Sequence, residues 1–224
     1  MAMIKIRNLN KRYGEKVVYE NFNLDIEKDK VLVILGKSGC GKTTLLNVLA
    51  KLTEYDGQIE GVDDSVSMVF QKDYLVPNLT VEQNLKLVNK NADVLSALEM
   101  VEMTECAKLY PKSLSGGMAR RVAIIRAIIF KSTLLVMDEP TNSLDVGLKN
   151  KIYSTLKQLK KEYKKTVVIV THDVDEALSL ADRVIVLGDG QIDYDYSFRS
   201  SIYQRDITDE ECNLVRKDLL KRLL

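Results

Sequence analysis

Cysteine and histidine are scarce in this chain, with three Cys (Cys40, Cys106, Cys212) and one His in 224 residues. An odd, scattered set of cysteines supports neither a disulfide framework nor a paired-cysteine metal site, and it fits a reducing compartment. Net charge is nearly missing as well. Lys and Arg (33) balance Asp and Glu (32) to a formal +1, which gives no electrostatic case for non-specific nucleic-acid binding. Long apolar runs are absent: Val31–Leu35 and Val167–Val170 are strand-sized, far below the roughly 18 residues of a bilayer crossing. Met1–Arg7 lacks the charged-then-apolar layout of a secretory leader and alternates into a strand instead. What remains is ordinary globular composition, 46% hydrophobic and 29% charged. That excludes collagen and disordered chains, and the length suffices for one large domain with a sizeable core.

Two patterns divide the chain. Ile4, Ile6 and Leu9, then Phe22, Leu24 and Ile26, alternate with polar residues, as half-exposed strands of a small antiparallel sheet do. Val31–Leu35, Leu134–Met137, Val167–Val170 and Val184–Leu187 are apolar throughout, the mark of strands covered on both faces. Gln58–Ile59 and Val66–Phe70 read as further strands, and Asp189-Gly190 as a hairpin turn. From Pro77 to Phe130 the periodicity is helical: Thr80-Val-Glu-Gln83 is a capping box, with Val81, Leu85, Leu87 and Val88 as the apolar stripe. A later helix carries Ile152, Leu156 and Leu159 on one side and a lysine face that reads as solvated. Thr208-x-x-Glu211 is expected to cap a last helix with Leu214, Val215, Leu219 and Leu220 inside. The expectation is an α/β core at 1–71 and 131–224 with an all-helical insertion at 72–130.

Gly36-Lys-Ser-Gly-Cys-Gly-Lys-Thr43 fits G-x-x-x-x-G-K-[ST] between a buried strand and a helix near 42–51, the context a P-loop requires. Such a loop wraps a phosphate with successive backbone N–H groups, its glycines permitting angles that side chains forbid, and the helix adds its positive dipole end. Lys42 supplies a point charge to the phosphates and Thr43 a hydroxyl for Mg²⁺. Cys40 reads as a small residue in the loop without a catalytic task. Leu134-Leu-Val-Met-Asp138-Glu139-Pro140 puts two carboxylates at the carboxyl end of a buried strand, the edge where open parallel sheets bind ligands. Asp138 would hold Mg²⁺ through its water shell, and Glu139, one residue on, would be the general base.

With these motifs the chain closely resembles the ATP-binding subunit of ABC transporters, over nearly its whole length. Leu114-Ser115-Gly116-Gly117-Met118 resembles the family's signature motif, Gln71 its Q-loop glutamine, Ser143-Leu144-Asp145 its D-loop, and His172 its switch histidine. Tyr13 resembles the aromatic residue that stacks on adenine. The resemblance implies a P-loop NTPase (RecA-like) core with an N-terminal antiparallel β subdomain and an inserted α-helical subdomain. It implies ATP and Mg²⁺ as cofactors, with Gly36, Lys37, Ser38, Gly39, Cys40, Gly41, Lys42, Thr43 and Thr44 around the phosphates. Thr43, Gln71 and Asp138 would serve the metal, Glu139, His172 and Lys42 catalysis. Ser115, Gly116, Gly117 and Asp145 would meet a nucleotide across a head-to-tail homodimer, since Ser115-Gly-Gly opens a second helix able to bind an anion.

The Met118 ending, Val69-Phe70-Gln71, Leu75-x-Pro77 and Thr171-His-Asp-Val-Asp-Glu-Ala177 look like importers of the nitrate, sulfonate, taurine and thiamine-precursor group. Thr141-Asn-Ser-Leu-Asp145 is nearer to lipoprotein-release and peptide exporters. The implied setting is the cytoplasmic face of the cell membrane, with transmembrane permease subunits and a solute-binding protein as partners. No nucleic acid is expected: a soluble ABC ATPase acting on nucleic acid or the ribosome is the alternative of a different class, against which stand near-zero charge and a single cassette. A metabolic kinase would leave the signature motif unexplained.

Overall fold

The computed structural model describes residues 3–142 and 144–223, save for the side chains at positions 159, 162 and 163. Among them, β1 (Met3–Tyr13), β2 (Lys16–Glu27) and β4 (Asp56–Glu60) form an antiparallel sheet in the order β2-β1-β4. Its inner face is the alternating set read from the sequence: Ile4, Ile6, Leu9, Phe22, Leu24 and Ile26 are all buried. The step of three from Ile6 to Leu9 is a register shift in the β1–β2 ladder, with Asn8 at φ 50°. The bulge restores the inward phase that strict alternation would lose.

A second sheet runs β5 (Val66–Val69), β6 (Leu134–Asp138), β7 (Thr166–Val170), β3 (Val31–Gly36), β8 (Arg183–Gly188), β9 (Gln191–Ser197). It is parallel except for the β8–β9 hairpin, which turns at Asp189-Gly190. Its apolar strands divide the core by pleat parity. Leu32, Ile34, Leu134, Val136, Val168, Val170, Ile185 and Leu187 join one cluster with α1 (Lys42–Leu49) and the antiparallel sheet. Val31, Val33, Leu35, Leu135, Met137, Val167, Ile169, Val184 and Val186 face the other. That second cluster includes side chains from α2 (Val81–Val88), α3 (Val94–Glu99), α4 (Gly116–Ile129), α5 (Val146–Tyr163), α6 (Val174–Leu180) and α7 (Glu210–Leu223). Strands buried on both faces have no polar side to spare, hence the unbroken runs.

The stretch expected to be helical is broken into short pieces. α2, α3, two single 3₁₀ turns (Thr104–Cys106 and Pro111–Ser113) and α4 follow one another. Thr80 forms the expected capping box, accepting from the Gln83 N–H at 3.3 Å and donating its own N–H to Gln83 Oε1 at 2.9 Å. No helix among the described residues is long and apolar enough to cross a membrane.

Three expectations need correction. Leu87 is 57% exposed and outside the stripe that buries Val81 and Leu85. The last helix is capped by Asp209, which accepts from the Cys212 N–H at 2.7 Å, while Thr208 bonds to Asp206 and Glu211 turns to Tyr196, Arg199 and Ser200. The inner stripe runs Cys212, Val215 and Leu219, at i, i+3 and i+7, so these are buried whereas Leu214 and Leu220 are 60% and 46% exposed. The lysine face of α5 is not wholly solvated: Lys160 is buried, its ammonium 2.6 Å from Asp182 Oδ2. Ile152 and Leu156 are buried as expected, and the Leu159 side chain lies outside the description.

Ile34 is fully buried at the centre of the parallel sheet. Ile34→Ala should lower stability by about 2–5 kcal/mol, against less than about 0.5 kcal/mol for exposed Leu87→Ala, as read by urea unfolding.

Candidate functional site

β6, β7 and β3 are neighbours in the parallel sheet, so their carboxyl ends open side by side. Three chain segments leave there: the glycine loop after β3, Asp138-Glu139 at the end of β6, and Thr171-His172 after β7. Between them lies a cleft of about 470 Å³, lined by Gly36, Ser38, Gly39, Gly41, Lys42, Thr43, Thr44, Gln71, Asp138, Glu139 and His172, with Tyr13, Lys16, Val18 and Val170.

The loop's shape is enforced by its surroundings. Gly36 has φ 155°, and a Cβ there would run into the Leu187 carbonyl. Gly41 has φ 108°, and a Cβ there would sit 2.8 Å from the Tyr19 hydroxyl. Tyr19, buried and with its phenol pushed up chiefly by burial, donates to the Gly41 carbonyl at 2.9 Å. Gly41 begins α1 with no side-chain cap and no acidic residue in the first turn, which leaves the helix's first N–H groups for an anion. The Lys42 ammonium folds back on the loop, donating to the Gly36 and Lys37 carbonyls at 2.7 and 2.8 Å, with Cys40 Sγ 3.9 Å away. Lys37 and Cys40 are not among the cleft's lining residues; Cys40 is buried and Lys37 exposed.

Thr43 Oγ1 donates to Asp138 Oδ2 at 2.9 Å. Burial pushes the Asp138 carboxyl up, against that hydrogen bond, and the neighbouring Glu139 charge adds to the rise. Glu139 itself holds a positive φ of 47°, a backbone that costs a non-glycine residue about 1–3 kcal/mol. Its N–H donates to the Val170 carbonyl at 2.8 Å, tying the end of β6 to β7. Its carboxylate receives Asn142 Nδ2 at 3.0 Å and lies 3.2 Å from His172 Nδ1. The imidazole is 63% exposed toward the cleft mouth, the carboxylate 20%.

Tyr13 stands at the end of β1, half exposed, with the Lys11 ammonium 4.7 Å over its ring. Gln71 is exposed and lines the same cleft. Ser115, Gly116, Gly117 and Asp145 do not line this cleft. Ser115 and Gly116 are exposed at the start of α4, where Ser115 Oγ accepts from the Met118 N–H at 3.3 Å, so its hydroxyl proton remains free to donate. Asp145 caps α5 through the Leu148 N–H at 3.0 Å, and Ser143 lies outside the described residues.

The sequence reading missed two buried charges behind the cleft. Arg120, 5% exposed, reaches both the segment at Gln71 and the turn at Glu139. Its spacing to buried Ile124 and Ile128 puts it on the inner stripe of α4, the signal that was available. Glu176, 1% exposed, takes the Thr141 hydroxyl at 3.0 Å and is also bonded by Thr171, so it joins the two loops from behind. Burial pushes its carboxyl up to about 7 against both hydroxyls.

A family model described as ABC transporter matches residues 19–142. The chain belongs to the ABC transporter family. It is 40% identical to the "Aliphatic sulfonates import ATP-binding protein SsuB 2" of Pseudomonas syringae pv. tomato, over 82% of this chain and 81% of that one. It is 39% identical to the "Spermidine/putrescine import ATP-binding protein PotA" of Pasteurella multocida, over 95% of this chain but 61% of that protein. The chain therefore spans about three fifths of the length of that relative, and 60% of an "Fe(3+) ions import ATP-binding protein FbpC" from Fusobacterium nucleatum. Among solved structures it resembles the dimeric, post-hydrolysis ATP-binding cassette MJ0796 bound to ADP and Pi, with a TM-score of 0.79 and 32% identity, over 89% of this chain and 100% of that one. The two sheets are thus those of an ABC cassette, with the P-loop NTPase core expected from the motifs.

In this ABC cassette Glu176 binds its proton more tightly folded, at about 7, than at the ordinary 4.5. The stability it contributes is full below the ordinary value and is lost as pH rises through about 7. From about pH 5 to about pH 8 the wild type should lose stability relative to Glu176→Gln by on the order of 1–3 kcal/mol. Urea midpoints across that range check this; parallel curves would contradict it.

Proposed function

We propose that this chain is the ATP-binding and ATP-hydrolysing subunit of a membrane transporter, which it energises by closing and opening a head-to-tail homodimer. The observation that carries the reading is the split of its phosphate chemistry. One anion-accepting helix start, at Lys42, lies in the cleft with Asp138, Glu139 and His172; the other, at Ser115, opens outside it. A second copy brings its Ser115-Gly116-Gly117 and Asp145 to the first copy's nucleotide. Charge-assisted hydrogen bonds to the γ-phosphate, worth about 1.5–3 kcal/mol each, then make closure depend on ATP.

Within the cleft, Gly36 to Thr44 cradle the phosphates, Lys42 neutralises them, and Tyr13 stacks on the adenine. Glu139 takes the proton of the attacking water, and His172, 3.2 Å from it, donates to the γ-phosphate. The donor set suits Mg²⁺, which keeps most of its water and uses few protein ligands. Thr43 and Asp138 are already in mutual contact with a carboxylate held in the cleft, and Gln71 lines the same cleft. Bound there, Mg²⁺ would neutralise phosphate charge.

The division that suits this work is a nucleotide-binding core at 1–71 and 131–224 and a helical insertion at 72–130 carrying the signature. Permease subunits would dock beside Gln71 and the insertion, holding the chain at the cytoplasmic face of the membrane. Solute import, with a solute-binding protein, is supported by the import names of similar proteins and by the Met118 ending.

Glu139→Gln should retain ATP binding and accumulate as an ATP-bound dimer with turnover reduced by about 10²-fold or more. Sedimentation with and without ATP checks the dimer, phosphate release the turnover, and wild-type rates in the variant would overturn the assignment. Tyr13→Ala removes an aromatic stack worth about 0.5–1.5 kcal/mol. It should raise the KM for ATP about two- to tenfold with kcat little changed, which steady-state kinetics would show.

A further inference from the structure

Arg120 occupies a place that its neighbours in the chain do not. It sits one turn into α4, five residues after Ser115, and its guanidinium is 5% exposed. A guanidinium has five N–H donors, and here all five find acceptors on two other segments. Nε donates to the Pro140 carbonyl at 2.9 Å, and Nη2 to the carbonyls of Asp138 at 3.0 Å and Glu139 at 2.6 Å. Nη1 donates to the Phe70 carbonyl and to Asp73 Oδ1 at 3.2 Å, with the Gln71 carbonyl at 3.5 Å. Asp73 is its carboxylate partner. The fork thus ties three consecutive carbonyls at the end of β6 to the chain around Gln71.

We propose that Arg120 is a positioning residue for hydrolysis: it holds the turn that aims Glu139 and couples that turn to the segment bearing Gln71. The inference rests on Glu139 acting as the base. Two constraints carry it. Glu139 sits at φ 47°, a backbone that relaxes unless its surroundings fix it. Its N–H is held by Val170, and its carbonyl accepts from Arg120 at 2.6 Å and, within the turn itself, from the Asn142 N–H at 3.3 Å. The carbonyls of Asp138, Glu139 and Pro140 all turn to one guanidinium, so a shift of the segment at Phe70–Gln71 reaches the Glu139 backbone through a single rigid plane. Arg126 holds the next residues of that segment, donating to the Tyr74 and Asp73 carbonyls at 3.0 and 3.3 Å. Two arginines of α4 therefore tie this segment to the helix. Lysine, a single point with three donors, cannot span both carbonyl groups.

The test uses the purified chain and ATP, with Arg120→Gln, Arg120→Lys, Asp73→Ala and the Arg120→Gln/Asp73→Ala double variant. Each is compared by kcat, KM and far-UV circular dichroism. Arg120→Gln should lower kcat by about tenfold or more with KM changed less than about twofold, and Arg120→Lys should recover part of the loss. Asp73→Ala, which removes the carboxylate partner of Arg120 on that segment, should lower kcat in the wild-type background and much less in Arg120→Gln, because the same contact is lost in either case. Wild-type kcat in Arg120→Gln, or independent multiplication of the two effects, would overturn the proposal. So would unfolding of both Arg120 variants, which would make the residue structural alone. A wild-type chain that does not hydrolyse ATP, or a Glu139→Gln variant as fast as wild type, would instead remove the function on which it rests.

Discussion

The Lys42 ammonium is buried with two carbonyls for company and, among the described residues, no carboxylate within ion-pair distance. A buried charge in that position is costly unless paired. The loop meets it only with neutral carbonyls, those of Gly36 and Lys37, while Leu187 and Tyr19 leave no room for a side chain at Gly36 and Gly41. Asp138 is near enough to feel this charge, which works against the upward push of burial on its carboxyl. The uncapped start of α1 adds to the positive field of the cleft that Asp138 and Glu139 also line. On the proposed reading, an incoming polyphosphate is the anion that meets it.

The parallel sheet makes the arrangement durable. Each central strand fills one core with its even positions and the other with its odd positions, so strand ends cannot slide without shifting a whole side-chain set to the wrong face. At the edge of that floor Glu139 keeps its positive φ, and its neighbours hold it from three sides: Val170 on the N–H, the Asn142 and His172 side chains on the carboxylate, Arg120 and the Asn142 N–H on the carbonyl. Behind the floor, Glu176 joins the turn after Pro140 to the strand end before His172. The two loops that would act on the γ-phosphate are therefore braced by charges that never face it.

Most of the fold could be read from periodicity, because the chemistry that decides it is local. Doubly covered strands read as unbroken apolar runs, and the antiparallel pair as alternation. Even the glycine loop declared its strand and helix. The misreadings arose where a neighbouring residue competed for the same role. Asp209 takes the cap that Thr208 offered, and Cys212 rather than Leu214 or Leu220 joins Val215 and Leu219 on the buried stripe. Lys160 looked like one lysine of a wet face because Asp182, the partner that buries it, is brought alongside only by the fold. Arg120 could be placed on the inner stripe of α4 by its spacing, but neither its partners nor those of Glu176 could be read, because they are carbonyls, a carboxylate and hydroxyls on segments that only the fold brings alongside.

The helix start at Lys42 lies in the cleft and that at Ser115 opens outside it; on the proposed reading, this is what separates a self-sufficient P-loop enzyme from a cassette that works in pairs. The dependence of specific ATPase activity on protein concentration tests this most directly. If each nucleotide needs Lys42 from one chain and Ser115 from another, turnover per chain falls toward zero on dilution and is restored by adding chains. Turnover per chain that stays constant at dilutions where sedimentation finds only monomers would contradict the account.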